Sequence, residues 1–425
     1  MRGIMNVRTG LLAALFLGAA TMAQAQTELR FACYADGNEC EVYRDLLDGF
    51  EKANPDISVL VDVVPYRSGI LEGLPVTLEA GEGPDVARVT DITGLSRHLL
   101  DIRPYVADPA YWEDDFYPSA LVWMRLHNDP HGIYGFANQI TMTIGYVNVT
   151  LFEQAGVPVP DASATWDDWA EATRQVKDRL DLYSGMTMDR AFHRAIPGTV
   201  AYGAQYYDAD GHLQVVDDGV RAFARRLVDW HRERLMPLDI WPAASGSQVV
   251  PGADLFENSE TAFLLSGSWL LPRLSRNVSG IFDWRAVPNP CGDAGCLGGM
   301  AGGSAIVGFR HTAHPREVAR MLDYLASPPV LEAFAARTLQ VPGQLDLLKA
   351  GVPYQTDDPA VARSLEVIEG EVARVSPVIQ KLEVEPLQRR ILDSGTANLG
   401  LATSGEIGVD AALDRITREI DSATN

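Results

Sequence analysis

The sequence predicts an α/β fold divided into two lobes. Strand-like and helix-like segments alternate early in the chain, with strands at Glu28–Tyr34, Ile57–Val64 and Val86–Val89 and helices at Cys40–Asn54 and Gly69–Ala80. This β-α-β-α-β order predicts a parallel sheet with right-handed crossovers, and a ligand is then expected beyond the carboxyl ends of the strands. The chain has 425 residues, more than one ordinary hydrophobic core accommodates, so a second lobe is expected.

Local signals justify each of these elements. Apolar residues recur at helical spacing between Val42 and Phe50, and Pro55 then ends the helix. The segment Ile57–Val64 is rich in β-branched residues, which favour a strand. The second helix ends at the glycine-rich and proline-containing run 81–85.

Further strands and helices follow along the chain. Strands are predicted at Ile140–Val147, Ala262–Leu265 and Ala305–Phe309, and the first of them leaves a loop at Gly135–Gln139, where we expect the chain to cross between lobes. Thr165 has the character of a helix N-cap followed by early acidic residues. Helices are predicted at Trp166–Arg179, Phe223–Glu233, Pro315–Ser327, Leu331–Arg337 and Val409–Ser422.

The N-terminus has the pattern of a cleavable export signal. Arg2 and Arg8 flank a short charged region, Leu11–Ala20 is apolar, and Ala23-Gln24-Ala25 provides a small-x-small cleavage pattern. We therefore predict a signal peptide over 1–25 and a periplasmic protein; a buried N-terminal helix is the alternative. No cysteine directly follows the cleavage site and no other stretch approaches the ~20 apolar residues of a membrane helix, so neither a lipid anchor nor direct membrane insertion is expected.

The charge of the chain argues against a nucleic-acid partner. The formal net charge is -22, and loss of the two positive residues Arg2 and Arg8 with the signal peptide takes it to -24. Such a charge repels phosphate backbones, and the sequence contains no basic run. Hydrophobic residues make up 47% of the chain, which is typical of a packed protein rather than a disordered one.

The four cysteines form two close pairs, Cys33 with Cys40 and Cys291 with Cys296. In an oxidising compartment such pairs most simply form disulfides that close short loops. A metal site is the competing interpretation, but neither pair has C-x2-C spacing. His127 and His131 are four residues apart with Pro130 between them, so a helical metal pair is not expected, and we predict neither a metal nor a cofactor.

Five segments, in this order, resemble the extracellular solute-binding proteins of carbohydrate ABC importers, the family typified by the maltose-binding protein. The segments are FEKANPDISV (50–59), GEGPDVARV (81–89), GIYGFANQITMTIGYVNVTLFEQAGVPVP (132–160), TAFLLSGSWLLPRL (261–274) and GGSAIVGF (302–309). The resemblance implies a two-lobe periplasmic binding protein fold, with hinged discontinuous lobes and a ligand cleft between them. We expect an N-terminal lobe of 26–139 plus 287–345 and a C-terminal lobe of 140–286 plus 346–425.

The resemblance also implies partners and aromatic ligand contacts. We expect a monomer that captures a small carbohydrate-like ligand and delivers it to the permease subunits of an ABC transporter. Trp269 matches the family position where an indole stacks on a pyranose ring, with a core tryptophan as the alternative. Trp241 is a candidate for a second aromatic wall of the ligand site, with packing in the core as the alternative.

Polar candidates lie where loops leave the predicted strands. Sugar hydroxyls bond to carboxylate, amide and guanidinium groups, and the backbone N–H groups of Gly302, Gly303 and Ser304 could donate to a ligand oxygen as well. For these three residues a tight entry into the strand is the alternative, and for the others it is a turn, a helix cap or ordinary loop polarity. The polar and glycine candidates are Asp36, Tyr66, Arg67, Ser68, Asp91, Gln139, Asp189, Arg190, His193, Gly302, Gly303 and Ser304.

Differences from the maltose-binding protein narrow the range of expected ligands. The maltose-binding protein has a charged pair after its first strand, where this sequence has Cys33-Tyr34-Ala35-Asp36. The aromatic residue expected near the C-terminal helices has no clear match in Leu382–Arg390. Fewer aromatic positions favour a mono- or disaccharide, a polyol or a glycoside. Arg67 or Arg190 could instead recognise an acidic substituent through bidentate bonds.

Two other functions share parts of this pattern. An exported glycoside hydrolase or lyase would use two carboxylates, but no H-E-x-x-H, G-x-S-x-G or phosphate-loop motif is present, so we expect a binding protein and not an enzyme. A ligand-presenting protein for chemotaxis would have the same fold and differ in its partner.

Overall fold

The computed structural model describes residues 26–126, 129, 131–241 and 251–424. The predicted signal peptide and His127 lie outside the described residues. Eight strands are described. They are β1 (Thr27–Cys33), β2 (Ile57–Val63), β3 (Val86–Val89), β4 (Gly135–Asn148), β5 (Met186–Met188), β6 (Phe263–Gly267), β7 (Trp284–Val287) and β8 (Ala301–Gly308).

The helices flank the strands in mixed α/β order. The first nine are α1 (Glu39–Ala53), α2 (Leu74–Glu79), α3 (Ile92–Leu95), α4 (Pro109–Asp114), α5 (Pro118–Met124), α6 (Val149–Ala155), α7 (Trp166–Leu180), α8 (Phe192–Ala201) and α9 (Asp218–Arg232). The next nine are α10 (Gly252–Glu257), α11 (Leu271–Asn277), α12 (Pro315–Ala326), α13 (Pro328–Thr338), α14 (Leu345–Ala350), α15 (Pro359–Val372), α16 (Pro377–Glu383), α17 (Gln388–Thr403) and α18 (Val409–Thr424).

The strands follow the order β2-β1-β3-β8-β4-β6-β5, with β7 also paired to β4. As predicted, β1 runs parallel to both β2 and β3. The later strand β8 is antiparallel to β3 and β4. The predicted parallel β-α-β-α-β start is therefore confirmed, and an antiparallel strand completes it.

One long strand, β4, belongs to two sets of partners. Its residues from Gly135 to Met142 pair with β8, whereas those from Thr143 to Asn148 pair with β6 and β7. The sequence predicted a loop over Gly135–Gln139, but the strand already begins there. Gly135 has φ +146°, and a Cβ at this position would lie 2.0 Å from the carbonyl oxygen of Ile306, so only glycine permits this close pairing.

Hydrophobic clusters divide the fold into two lobes that share β4. Clusters of the first lobe combine β1, β2, β3, β8 and the start of β4 with α1, α12 and α13. Clusters of the second lobe combine β5, β6, β7 and the rest of β4 with α7, α8, α9, α15, α17 and α18. Both sets are built from apolar side chains with almost no exposure, so each lobe has its own core.

Local signals explain several element ends. Thr165 accepts a hydrogen bond from the backbone N–H of Asp168, whose carboxylate accepts from the backbone N–H of Thr165 in return, which confirms the predicted helix start. Gly156 ends α6 with φ +65°. The predicted helix Gly69–Ala80 is instead a π-helix at Tyr66–Gly73 followed by α2, because Pro75 has no N–H and interrupts the hydrogen-bond pattern.

Both predicted disulfides are present. Cys33 at the end of β1 is bonded to Cys40 in the first turn of α1, and Cys291 is bonded to Cys296. Each closes a short loop. Among the described helices, none has the length and apolar character required to cross a membrane.

Candidate functional site

A buried guanidinium organises the carboxyl ends of β1 and β3. Arg88, fully buried in β3, donates from Nη1 to the carbonyl oxygen of Tyr34 at 2.6 Å, and its guanidinium lies 4.0 Å from the centroid of the Tyr34 ring. Its Nη2 lies 3.4 Å from Asp36 Oδ2 and 3.7 Å from Glu39 Oε1. Its Nε donates to Ser304 Oγ at 3.0 Å, which ties β3 to β8.

Asp36 stands at the edge of this network with its side chain 27% exposed. Burial raises the pKa of Asp36 to about 6, the charge of Arg88 opposes that shift, and Glu39 adds to it. Burial lowers the pKa of Arg88, but Tyr34, Glu39 and Asp36 together hold that pKa above its ordinary value. Arg88 therefore stays charged, and Asp36 presents an acceptor that is only partly satisfied within the protein.

Tyr66 presents a half-exposed aromatic ring beside this network. Its ring centroid lies 4.7 Å from that of Tyr34, its hydroxyl shares a hydrogen bond with Thr90 Oγ1 at 2.9 Å, and the residue is 38% exposed. Arg67 and Ser68 follow on the exposed start of the π-helix, and Arg67 Nε pairs with Glu72 Oε1 at 3.0 Å. Of these three predicted residues, Tyr66 is therefore the one that offers a ring face.

Asp91 serves as a helix cap. Its carboxylate accepts a hydrogen bond at 2.8 Å from the backbone N–H of Gly94 in the first turn of α3. The charge of Asp91 also contributes to a raised pKa of Arg389 in α17, so the two side chains face each other across the gap between the lobes. The structure thus favours the capping alternative for one carboxylate oxygen while placing the residue at the cleft.

The predicted residues of β4 and β8 lie side by side. Gln139 pairs with Ser304 after a register shift at Ala137, is 2% exposed, and its Oε1 has no hydrogen-bond partner among the described residues. Ser304 Oγ donates to Asn138 Oδ1 at 2.9 Å. A Cβ at Gly303 would lie 2.4 Å from the carbonyl oxygen of Gln139, which supports close strand approach as the reason for that glycine.

Gly302 lies at the exposed start of β8, next to side chains of the second lobe. A Cβ on Gly302 would meet Thr141 Oγ1 at 3.2 Å and His193 Nε2 at 3.6 Å. His193 Nε2 itself faces the carbonyl oxygen of Ala301 at 3.2 Å. Gly302 and His193 are therefore neighbours at the junction of the two lobes.

His193 is a neutral imidazole with a defined tautomer. Burial and the charge of Arg194 lower the pKa of His193 to about 3. Arg194 contacts Nδ1 through Nη1, and an arginine can only donate, so Nδ1 accepts and Nε2 carries the proton that it donates to Ala301. Thr143 Oγ1 also lies 3.4 Å from Nδ1.

Asp189 and Ser266 form a second polar pair in this lobe. The Ser266 hydroxyl donates to Asp189 Oδ2. Burial raises the pKa of Asp189, while Arg194, Ser266 and Arg273 oppose that shift. Asp189 is thus held by the nearby positive charge of Arg194 and by the Ser266 hydroxyl, and it forms no ion pair within the described residues.

Trp269 lies at the start of the short helical turn Ser268–Leu270 and packs against Arg194. The guanidinium carbon of Arg194 is 4.1 Å from the centroid of the Trp269 ring. A Cβ added to Gly267 would fall 1.8 Å from the indole, so glycine at the end of β6 makes room for the ring. Trp269 remains partly exposed, and it belongs to the boundary of the cleft rather than to the innermost core.

The structure corrects the prediction that Trp241 is a ligand wall. Trp241 is 1% exposed, and its indole N–H donates to the carbonyl oxygen of Met188 at 3.0 Å. Its own carbonyl oxygen accepts from Arg190 Nε at 3.1 Å. Trp241 is thus a core residue, and its contribution to the cleft is limited to holding Arg190.

The two lobes lie close together at Gly302 and His193, and charges on each lobe affect pKa values in the other. Burial raises the pKa of Tyr66, and the charges of Arg389 and Arg194 in the second lobe act against that shift. Burial lowers the pKa of Arg190, and the charge of Arg67 in the first lobe lowers it further. Side chains distant in sequence therefore act on one another across the gap.

Four residues of this region were not predicted from the sequence. Arg194 and Arg389 lie on helices, where a charged residue resembles ordinary surface. Burial raises the pKa of Glu383 to about 7, and its Oε1 accepts at 2.8 Å from the backbone N–H of Ala301. Arg88 was also missed, although a charged residue inside the apolar strand VARV was a usable signal.

Three exposed residues in a turn, Asp208, Asp210 and His212, could share a metal ion. The Asp208 carboxylate already accepts from the backbone N–H groups of Asp210 and His212, as in an ordinary acidic turn. These hydrogen bonds satisfy the Asp208 carboxylate without a metal ion.

Comparison with known proteins assigns the family. Residues 36–332 match the family described as bacterial extracellular solute-binding protein. The chain belongs to this family. The resemblance drawn from the sequence is thereby confirmed, and so is the prediction of a binding protein rather than an enzyme.

Solved structures of this class share the fold at low sequence identity. An ABC substrate-binding protein from Listeria monocytogenes in complex with cycloalternan is 17% identical, with a TM-score of 0.78 over 94% of this chain and 99% of that chain. The maltose-bound MalE3 of T. maritima is 18% identical, with a TM-score of 0.75 over 93% and 100% of the two chains. The two-lobe α/β fold is therefore established, and hinge closure is typical of it.

A curated relative is similar over part of its length. The arabinooligosaccharide-binding protein of Halalkalibacterium halodurans is 21% identical over 193 residues, which are 45% of this chain and 42% of that protein. The match thus spans less than half of the curated relative.

Proposed function

We propose that this protein captures a saccharide in the cleft between its lobes and delivers it to the permease of an ABC transporter. The relatives support the ligand class, since they carry names or bound molecules that are saccharides. The proposed ligand has one to a few rings, in keeping with the small number of aromatic side chains at the cleft. Delivery to a permease follows from the transporter class of those relatives.

The observation that supports the proposal is a solvent-accessible aromatic side chain on each lobe beside polar groups. Tyr66 on the first lobe is 38% exposed, and Trp269 on the second is partly exposed and packs on Arg194, whose charge also acts on the pKa of Tyr66. Aromatic faces pack on the C–H surfaces of sugar rings, while carboxylates, amides and guanidinium groups bond to hydroxyls. Asp36, with its side chain 27% exposed, adds an acceptor on the first lobe, and the buried Oε1 of Gln139 has no hydrogen-bond partner among the described residues.

Closure on the ligand completes the proposal. A ligand that contacts both lobes binds the closed state better than the open one, and so shifts the equilibrium toward closure. We further propose that the lobes comprise 26–139 plus 287–345 and 140–286 plus 346–425, and that the protein acts as a periplasmic monomer after removal of residues 1–25.

A thermal-shift screen of the chain from Gln26 onward tests the function. The panel contains neutral and acidic mono-, di- and oligosaccharides, polyols, amino acids and polyamines. A saccharide at 100 times its dissociation constant should stabilise the protein by about 2.7 kcal/mol. Chromatography after incubation should return the sugar unchanged. Stabilisation by amino acids or polyamines alone, or a hydrolysed product, would contradict the proposal.

A further inference from the structure

Arg194 lies in the cleft with uncharged groups as its immediate contacts. Its guanidinium packs on the Trp269 ring at 4.1 Å, and its Nη1 donates to the neutral imidazole of His193. Its Nε is buried and makes no hydrogen bond to any described residue, and no hydrogen bond in that part of the chain involves Nη2. Nε and Nη2 lie on the same edge of a guanidinium, so a complete donor edge of Arg194 lacks an acceptor among the described residues.

No carboxylate of the protein pairs with this guanidinium. Arg194 makes no ion pair within the described residues, and the residues outside them include no Asp or Glu side chain. Asp189 is the carboxylate whose charge acts on Arg194, but Asp189 already accepts from Ser266. Burial lowers the pKa of Arg194 to about 10, which still leaves it charged at neutral pH.

Arg194 as a whole is partly exposed, but its Nε is buried without an acceptor, and a buried polar group without a partner is costly. The surrounding charges reinforce the demand for an anion. Arg190 also makes no ion pair within the described part of the chain, and it faces Arg67 of the other lobe. Asp36 and Asp91 supply negative charge at the same cleft, but Asp36 is engaged by Arg88 and Asp91 caps α3.

We propose that the saccharide carries an anionic oxygen group, and that Arg194 receives it through its Nε and Nη2 edge. A carboxylate, as on a hexuronic acid, matches this planar edge because its two oxygens accept two parallel N–H donors. Arg190, on the same lobe, adds a second guanidinium that makes no ion pair within the described residues. This inference rests on the proposed function and specifies the substrate class of that cleft.

Matched sugar pairs test the inference by calorimetric titration. The pairs are galactose with galacturonate, glucose with glucuronate, and the neutral and acidic disaccharides built from them, with glucose 6-sulfate added as a non-planar anion. At least one acidic member should bind about tenfold or more tightly than its neutral partner. Tighter binding of the sulfate than of every carboxylate would identify the anion as a sulfate ester and overturn the planar-carboxylate assignment.

The outcomes separate this inference from the proposed function. If neutral saccharides bind and none of the acidic ones does, the inference is overturned and the proposed function stands. If no saccharide of either panel binds, both are overturned.

An Arg194→Gln variant provides a second, independent measurement. The variant should lose about 10- to 100-fold in affinity for the acidic sugar and less than about threefold for a neutral one. Its melting temperature without ligand should equal or exceed that of the wild type, because an unpaired buried charge has been removed. A clearly lower melting temperature would show that Arg194 is a structural residue and would overturn the inference. Arg174→Gln, at an exposed ion pair with Glu233, is the matched control and should change neither quantity.

Discussion

Arg88 Nε and Ser304 Oγ lie 3.0 Å apart, and this hydrogen bond joins two strands that are far apart in sequence. The same guanidinium faces Asp36 and Glu39. Through one buried cation, the end of β3, the entry to α1 and the start of β8 are held in one arrangement. The first lobe's contribution to the cleft therefore depends on Arg88, although Arg88 itself does not reach the cleft.

Replacement of Arg88 by methionine should destabilise the protein by about 3 to 5 kcal/mol, because it leaves the buried Glu39 carboxylate without its cation. Urea unfolding followed by circular dichroism measures the loss. Arg30→Ala is the control, since Arg30 forms an ion pair with Asp62 in which the two side chains are 53% and 35% exposed. That variant should lose less than about 1 kcal/mol. Equal losses in the two variants would contradict the structural role assigned to Arg88.

Two tryptophan variants should separate binding from packing. Trp269→Ala should weaken saccharide binding by about tenfold or more, because the ring that packs on the sugar is lost. Trp241→Phe should leave the affinity nearly unchanged and lower the stability by about 1 to 3 kcal/mol, since it removes buried volume and the hydrogen bond to Met188. Titration calorimetry and thermal unfolding provide the two readouts. The opposite pattern would place the ligand at Trp241.

Gly267→Ala should reduce ligand affinity through the position of the indole. The added Cβ would fall 1.8 Å from the Trp269 ring, so the ring must move. The backbone there is extended, with φ -164°, so backbone strain does not contribute. Gly370→Ala is the matched control, because nothing lies within 4 Å of its Cβ position and alanine favours the α15 helix. It should raise stability by up to about 1 kcal/mol without a change in affinity.

Removal of each disulfide should have a different functional effect. By the chain-entropy model, replacement of either cysteine pair with serines should cost about 2 to 2.5 kcal/mol. Only loss of the Cys33–Cys40 bond should also weaken ligand binding, because that loop contains Asp36 and Glu39. Loss of Cys291–Cys296, which lies beside the start of α7, should leave affinity unchanged. Equal ligand affinity in the two double variants would contradict the proposal that Asp36 contacts the ligand.

Glu383 should make the protein less stable as the pH rises through neutrality. Its pKa is about 7 in the folded protein and about 4.5 in the unfolded chain, so between these values only the folded state retains the proton. The stability of the wild type relative to Glu383→Gln should therefore increase as the pH falls from 8 to 5, by up to about 3 kcal/mol. Chemical unfolding across that range measures the difference. Glu369→Gln, on the exposed face of α15, should give no such trend.

The sequence predicted the strands and helices well where the local signal was strong. The run of β-branched residues before Val64 and the capping pattern at Thr165 were sufficient for β2 and α7. The start of β4 was missed because Gly135-Phe136-Ala137-Asn138-Gln139 has the composition of a loop. Its strand character arises from pairing with β8, which no local pattern encodes.

The candidate site was predictable only in part. Family resemblance predicted Trp269, and the exit of the second strand predicted Tyr66; both rings are at least partly exposed in the structure. Trp241 was a candidate because it follows a loop-like sequence, and that ring is buried. Arg194 could not be found from sequence, because its significance comes from a distant indole and from an Nε without a hydrogen-bond partner among the described residues, which are properties of the folded chain.

The unbroken strand β4 constrains how this protein can be engineered. Because its two ends pair with different partners, cutting it would expose unpaired edges in both halves of the molecule, and exposed edges promote aggregation. Split reporters and circular permutants built on this scaffold should therefore keep 135–148 intact. New chain ends are better placed at exposed turns such as Gly211 or Gly351, where glycine already has a positive φ and no neighbouring atoms crowd the position.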